Sequence, residues 1–257
     1  MRASLKQHML DFGYIVVPAD NLEALDQLRD QIYQKALEIF GPCEDDPARF
    51  FNHFHNLGVS GAALNESRLR LIRECTEEIN SGTFIHKAFE STLLSLLGPD
   101  LLVQRTTNLV IQQPGDPNPS ELHRDSPGNS PYEAVVWLPL TDSYGTKAMY
   151  VLDRKETEKA LEKLDHLESD WETFEEHCTS IAKTVDVPYG SALIFWPGIF
   201  HGSFINREKE TRWTLNMRYK NLFAPLDKKE PFEFFKILQL SPLTQLAIDF
   251  QKREALK

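Results

Sequence analysis

GSALIFWPGIFHGSFIN, residues 190–206, and RWTLNMRY, residues 212–219, decide how this chain is read. The first holds an apolar run from Ser191 to Trp196, stopped by the Pro197-Gly198 turn and resumed near His201. A short apolar run bounded by turn residues reads as a strand. The second alternates. Side chains two apart on an extended chain point to one side. Arg212, Thr214, Asn216 and Arg218 therefore share one face, and Trp213, Leu215, Met217 and Tyr219 share the other.

Further strand-like runs lie upstream: LLVQRTTNLVIQQ (101–113), AVVWLPLTD (134–142) and TVDVP (184–188). Short strands separated by Pro/Gly turns predict a β-sandwich or barrel over 101–222. Residues 154–183 interrupt it with a charged helical insertion whose scattered apolar side is Leu161, Leu164, Trp171 and Phe174. Residues 1–100 read as a mostly helical lead-in. Asp20 with Glu23 resembles a capping box ahead of Leu22, Leu25, Leu28, Ile32 and Ile39 at helical spacing. Helices are expected over Glu66–Ile79 and Phe84–Leu97, the latter stopped by Gly98-Pro99, with a loop over Asp45–Gly61. Residues 223–257 are expected to be helical. A helix starting at Pro242 would carry Leu243, Leu246, Ala247 and Phe250 as one stripe. The expectation is a single domain over 1–257, mainly β with flanking helices.

The chain has 257 residues and a formal net charge of -10. An acidic chain is repelled by polyanions, so the partners expected are a small-molecule substrate, with no nucleic acid and no membrane. A homo-oligomer stays open. Cys43, Cys75 and Cys178 are far apart, odd in number and without a CxxC pair, which argues against a disulfide framework or a structural zinc site. The apolar run Tyr14–Val17 is too short for a signal-peptide core or a membrane span. A cytoplasmic protein is expected.

The chemistry-bearing pattern is His123-Arg124-Asp125, followed 76 residues beyond Asp125 by His201. On an extended segment His123 and Asp125 face one side and could chelate one metal, with His201 supplied by a second strand. Two histidines and a carboxylate form a facial triad that leaves three positions open on an octahedral ion, which suits Fe(II) oxygen chemistry. An HxD pair alone arises often by chance, and a hydrogen-bonded loop pair with a buried histidine would explain the same residues. Arg212, eleven residues after His201, adds a guanidinium able to grip a carboxylate bidentately. Ser203 points the same way as His201. Arg218 is a rival anchor, but it stands roughly 20 Å further along the strand. Thr106, Asn108 and Gln112 alternate ahead of His123 as candidate donors into the barrel. His53 and His55 form a second HxH, read as a loop near the pocket mouth or on the surface.

HRD at 123–125, GSALIFWPGIFHGSFIN and Arg212 together resemble the phytanoyl-CoA dioxygenase-like branch of the Fe(II)/2-oxoglutarate-dependent oxygenases. LDFGYIVVPADNLEALDQLRDQI (10–32) and LSLLGPDLLV (94–103) resemble its lead-in, so the likeness covers most of residues 8–222. The resemblance implies a double-stranded β-helix (jelly-roll, cupin-like) core. It implies His123, Asp125 and His201 as catalytic iron ligands, with 2-oxoglutarate and O2 as co-substrates. It also implies Arg212 with Ser203 on the distal carboxylate of 2-oxoglutarate; Thr106 and Asn108 are carried as further cofactor-binding candidates.

Asp125 stands where halogenating relatives carry a small residue, so the resemblance implies hydroxylation, desaturation or epimerisation rather than chlorination. No basic cluster awaits the phosphates of coenzyme A. The substrate expected is a small polar metabolite, such as a sugar or secondary-metabolite intermediate. The charge of 154–183 and its position between strands motivate a lid hypothesis, and a plain decorative helix stays open beside it. Two other readings stay open here: a cupin-like metal-dependent isomerase or lyase, and a non-catalytic binding module on the same scaffold.

Overall fold

The computed structural model describes residues 4–42, 46–165, 170–225 and 231–254. A helix-strand-helix start, α1 (Leu5–Phe12), β1 (Tyr14–Pro18) and α2 (Leu22–Phe40), leads into α3 (Pro47–His53), α4 (Gly61–Glu74), α5 (Ser81–Ala88) and α6 (Glu90–Leu97). The sheets use β2 (Leu101–Gln104), β3 (Asn108–Gln112), β4 (Glu133–Pro139) and β5 (Met149–Val151). After α7 (Arg154–Asp165) and α8 (Trp171–Ile181) come β6 (Lys183–Val185), β7 (Ser191–Phe195), β8 (His201–Ser203) and β9 (Arg212–Asn221). The chain then forms α9 (Pro231–Phe234), β10 (Phe235–Gln239) and α10 (Pro242–Glu254). None of the described helices is long and apolar enough to cross a membrane.

A seven-stranded antiparallel sheet runs in the order β1-β7-β4-β9-β2-β10, with β3 also paired to β9. A three-stranded sheet, β6-β5-β8, forms a second layer. No ladder joins the two among the described residues, so the jelly-roll core is an open sandwich rather than a closed barrel.

Strand β9 organises both sides of the large sheet. It pairs with β4 along one edge, and its other edge is shared by β3 and β2. The alternation read from the sequence holds. Trp213, Leu215, Met217 and Tyr219 enter the main apolar core beneath the helices, which also takes Leu25, Leu28 and Ile32 of α2. Arg212, Thr214, Asn216 and Arg218 line a cavity on the opposite face.

Several local expectations need correction. The expected loop over Asp45–Gly61 contains α3 and a 3-10 turn over Phe54–Leu57. Asp46 accepts from the Arg49 N–H and Pro47 opens the helix, an N-terminal signal independent of apolar period. Phe50, Phe51 and Phe54 surround Trp213 with ring centroids 5.0–6.2 Å away. Asn21, not Asp20, caps α2; Asp20 instead accepts from the Ser91 N–H and hydroxyl at the start of α6. The helix expected over Phe84–Leu97 breaks at Phe89, and α4 passes into a π turn at Cys75. The tail is not purely helical: β10 pairs with β2 at the edge of the large sheet. The apolar stripe of α10 faces solvent, with Leu243 77% and Phe250 65% exposed.

The insertion is two helices, α7 and α8, packed on the small sheet. Ala160, Phe174 and Cys178 pack with Leu122, Tyr150, Leu152 and Phe200 in a separate apolar cluster, joined by Leu161 and Leu164. No described residue of 154–183 lines this cavity, but Glu172, Glu175, Glu176 and Thr179 of α8 line a neighbouring pocket that shares Ser203 with it. Most of the insertion's apolar side packs against the small sheet, while Trp171 stays half exposed.

Candidate metal and co-substrate site

The cavity lies between the two layers. β9, β3, β4 and β7 contribute Arg212, Thr214, Asn216, Arg218, Asn108, Val110, Val135, Trp137 and Phe195, and the small sheet contributes Met149 and His201–Ser203. Trp137 and Phe195 are both buried core and cavity wall.

His123 and His201 are brought together by backbone pairing. The His123 N–H donates to the His201 carbonyl at 3.0 Å and the His201 N–H returns the bond at 2.9 Å. Ser203 N–H donates to Ser120 O, so the otherwise irregular segment 120–123 runs beside β8. Gly202 allows that approach: a Cβ there would stand 2.8 Å from the Ser120 carbonyl oxygen and collide with the Tyr150 hydroxyl. The two imidazole centroids are 4.3 Å apart.

Each ring is oriented from behind. Nδ1 of His123 lies 2.8 Å from the Glu121 carbonyl, and Nδ1 of His201 lies 3.0 Å from the Ile199 carbonyl. A carbonyl accepts only from N–H, so both Nε2 atoms carry the free lone pair, the form a metal requires. Burial, with His123 beside it, pushes His201 down to about 4 although Asp125 pulls the other way; the ring is neutral at neutral pH. Asp125 places Oδ1 4.0 Å from His123 Nε2 and Oδ2 3.9 Å from His201 Nε2. One donor atom from each of the three residues falls within 4.8 Å of the others. Two imidazole nitrogens and a carboxylate oxygen are a donor set that fits a divalent transition metal.

Arg212 occupies the cavity two β8 residues beyond His201. It is buried at 3% exposure, donates to Ser203 Oγ at 3.1 Å and to the Lys147 carbonyl at 3.0 Å, and lies over the Trp137 ring. Its Nε has no hydrogen-bond partner, and none of the described carboxylates pairs with it. The neighbouring Lys147 is already neutralised by Glu210 at 2.6 Å. Desolvation lowers Arg212 to about 10, which still leaves it charged at neutral pH. A buried cation without a counter-ion is costly, and a carboxylate ligand would supply one. Thr214 Oγ1 and Asn216 Oδ1 also lack partners on the same strand face. One same-face step on β8, about 7 Å, separates Ser203 from His201. That is close to the span of a five-carbon dicarboxylate, so the residues fit 2-oxoglutarate as well as the metal.

The remaining sequence candidates divide. Asn108 lines the cavity and is exposed at its mouth, in register with Asn216. Thr106 does not line it; it is exposed in the break between β2 and β3, where Arg105 N–H is drawn to Phe234 and Thr107 N–H to Thr76. That break resets the alternation on which Thr106 depended. Gln112 is buried and braces Phe204 and Asn206. His53 and His55 are not cavity residues, and His55 is tied to Thr211. Cys75 and Cys178 are buried free thiols raised by burial to about 12 and about 11, while Cys43 lies outside the described residues. The contact the sequence reading missed is Arg218 with Asp125, 2.8 Å apart. The shared face of Arg218 was legible, but Asp125 comes from a turn whose path only the fold sets.

No curated protein sequence matches the chain significantly. Among solved structures, the non-heme monooxygenase ThoJ in its nickel complex superposes with a TM-score of 0.57 at 19% identity, covering 93% of this chain and 84% of that one. The non-heme alpha-ketoglutarate-dependent carbocyclase SnoK from nogalamycin biosynthesis gives 0.59 at 15% identity over 93% of this chain and 97% of its own. The alpha-ketoglutarate-dependent epimerase SnoN from the same biosynthesis gives 0.51 at 13%, over 94% and 97%. At these identities the likeness establishes the fold. The phytanoyl-CoA dioxygenase (PhyH) family model matches residues 10–214, a span that includes His123, Asp125, His201 and Arg212. The chain belongs to the phytanoyl-CoA dioxygenase family of iron- and 2-oxoglutarate-dependent oxygenases.

Proposed function

We propose that His123, Asp125 and His201 hold Fe(II), that Arg212 with Ser203 and Thr214 holds the distal carboxylate of 2-oxoglutarate, and that the enzyme oxidises a C–H bond of a small polar metabolite. The observation that carries this reading is the buried Arg212, with no carboxylate partner among the described residues, in the same small cavity as the His-Asp-His cluster. An isomerase or lyase using the same triad has no evident need for such a cation.

When bound, iron with 2-oxoglutarate and O2 supplies the oxidising power. The chain supplies position and exclusion of water. The Glu121 and Ile199 carbonyls orient the two imidazoles. Trp137 and Phe195 wall the site. The cavity, about 170 Å3, falls below the roughly 300–1,000 Å3 typical of ligand pockets. It accommodates the co-substrate, and the substrate then approaches from the open side. That side is marked by His123, whose side chain is 43% exposed against 5% for His201, and by Asn108.

The lining has two cations, Arg212 and Arg218, and Arg218 is engaged by carboxylates. Nothing there receives the phosphates of coenzyme A, which favours a sugar or secondary-metabolite intermediate despite the family's name. The carbocyclase and epimerase of similar fold, both from nogalamycin biosynthesis, support a secondary-metabolite role. The buried free thiols favour a reducing, cytoplasmic setting.

The test is an anaerobic titration with Fe(II) and then 2-oxoglutarate, followed by the visible metal-to-ligand charge-transfer band. A substrate screen under air, read by succinate release, comes next. Metal binding without any 2-oxoglutarate band would reject the reading.

A further inference from the structure

Arg218 is left without a task by the co-substrate assignment, although it lines the same cavity. Its Nη2 lies 2.8 Å from Oδ1 of Asp125, and its Nη1 3.5 Å from Oε2 of Glu133. Glu133 is fixed in turn. Its side chain is 2% exposed, and its Oε1 accepts from the Ser130 N–H. Ser130 Oγ accepts from Lys220 Nζ, which also donates to the Pro225 carbonyl. Burial raises the Glu133 pKa and the Arg218 guanidinium draws it back down. Arg218 thus reaches Asp125 from a bracket built on two neighbouring strands, β4 and β9.

We propose that Arg218 is a positioning residue for the metal: by engaging Oδ1 of Asp125 it leaves Oδ2, the oxygen nearer His201, as the single oxygen presented to the ion. The proposal rests on the iron reading of the triad. A carboxylate that chelates through both oxygens takes two positions on a six-coordinate ion. With two histidines it leaves two, too few for a bidentate co-substrate and O2 together. A carboxylate held to one oxygen leaves three. The planar guanidinium fork suits this task because it spans two carboxylates in one plane. The competing account treats the guanidinium as a stand-in for the metal's charge that departs on loading. Buried Glu133 argues against it, because departure would strand a carboxylate away from water.

The two accounts predict opposite changes in metal affinity. Co(II) is titrated anaerobically into the wild-type protein, Arg218→Met, Arg218→Lys and Glu133→Gln, with d–d absorption reporting binding and circular dichroism reporting folding. Loss of a group that orients a metal ligand typically weakens the metal about 10–100-fold. That loss is expected for Arg218→Met, with part of it recovered in Arg218→Lys and an intermediate loss in Glu133→Gln. Co(II) affinity unchanged or tightened in Arg218→Met overturns the proposal and favours the stand-in account. Should Arg218→Met fail to fold, Arg218→Lys and Glu133→Gln decide alone: affinities equal to wild type in both overturn it. The wild-type complex is then titrated with 2-oxoglutarate. If that complex binds no 2-oxoglutarate, the oxygenase reading fails while the Arg218 comparison remains readable.

Discussion

Two arginines stand on one face of β9, six residues apart, and their surroundings differ in kind. Arg218 meets two carboxylates. Arg212 meets a hydroxyl, a carbonyl and an indole face, with no anion among the described residues. Both are mostly buried, so burial alone does not separate them. The difference lies in whether the protein supplies the counter-charge. Where it does, the guanidinium is held by its own scaffold; where it does not, the proposed carboxylate ligand would supply it. A buried cation is tolerated when its partner arrives from solution during function.

The largest expected effect falls on the cluster beside Arg218. His201→Ala or His123→Ala should remove most Fe(II) binding and all turnover, measured as bound iron after desalting and as succinate release. Wild-type iron content in either variant would separate the cluster from the metal. Asp125→Ala should likewise abolish oxidation, and the wild-type enzyme given chloride should yield no chlorinated product by mass spectrometry.

The next largest effect tests Arg212, the arginine with no carboxylate among the described residues. Removing one partner of a buried charge pair costs on the order of 3–5 kcal/mol, which at about 1.4 kcal/mol per tenfold is roughly a hundredfold or more. Arg212→Met should weaken 2-oxoglutarate by that factor at saturating Fe(II) while leaving metal affinity nearly unchanged. Arg212→Lys should restore only part, since an ammonium lacks the planar fork. If 2-oxoglutarate affinity follows Arg218 instead, the contrast between the two arginines is inverted.

Ser203 sharpens the same comparison at lower amplitude. It donates no charge, and a single neutral hydrogen bond is worth about 0.5–1.5 kcal/mol net. Ser203→Ala should therefore weaken 2-oxoglutarate by about two- to tenfold, with iron content retained. A loss as large as that of Arg212→Met would mean that the serine positions the guanidinium rather than assisting it.

The smallest effect is expected in the helical insertion. The helices α7 and α8 pack on the outer face of the small sheet through Phe174, Ala160 and Cys178. Amide hydrogen exchange there should be the same in the free protein and in the protein loaded with Fe(II) and 2-oxoglutarate. Strong protection of both helices on loading would make 154–183 a lid.

Periodicity and motif spacing were sufficient for the parts of this protein governed by neighbours in sequence. The two faces of β9 follow from strict alternation in RWTLNMRY, which no change in packing reverses without turning every side chain over. His123, Asp125 and His201 were legible as a candidate ligand set because metal chelation restricts residue type and spacing, and the family resemblance singled them out. α3 was missed because Asp46-Pro47 announces a helix through capping while its aromatic residues show no clean period; their burial around Trp213 comes from another strand. Thr106 was misplaced because the break at 105–107 is imposed by partners at Phe234 and Thr76, distant in sequence. The pairing of Arg218 with Asp125, the isolation of Arg212 and the docking of the insertion against the small sheet are likewise tertiary. A side chain's charge is written in its own codon, but its counter-charge is delivered by whichever segment the fold brings alongside, and in this cavity the fold gave one arginine two carboxylates and the other none.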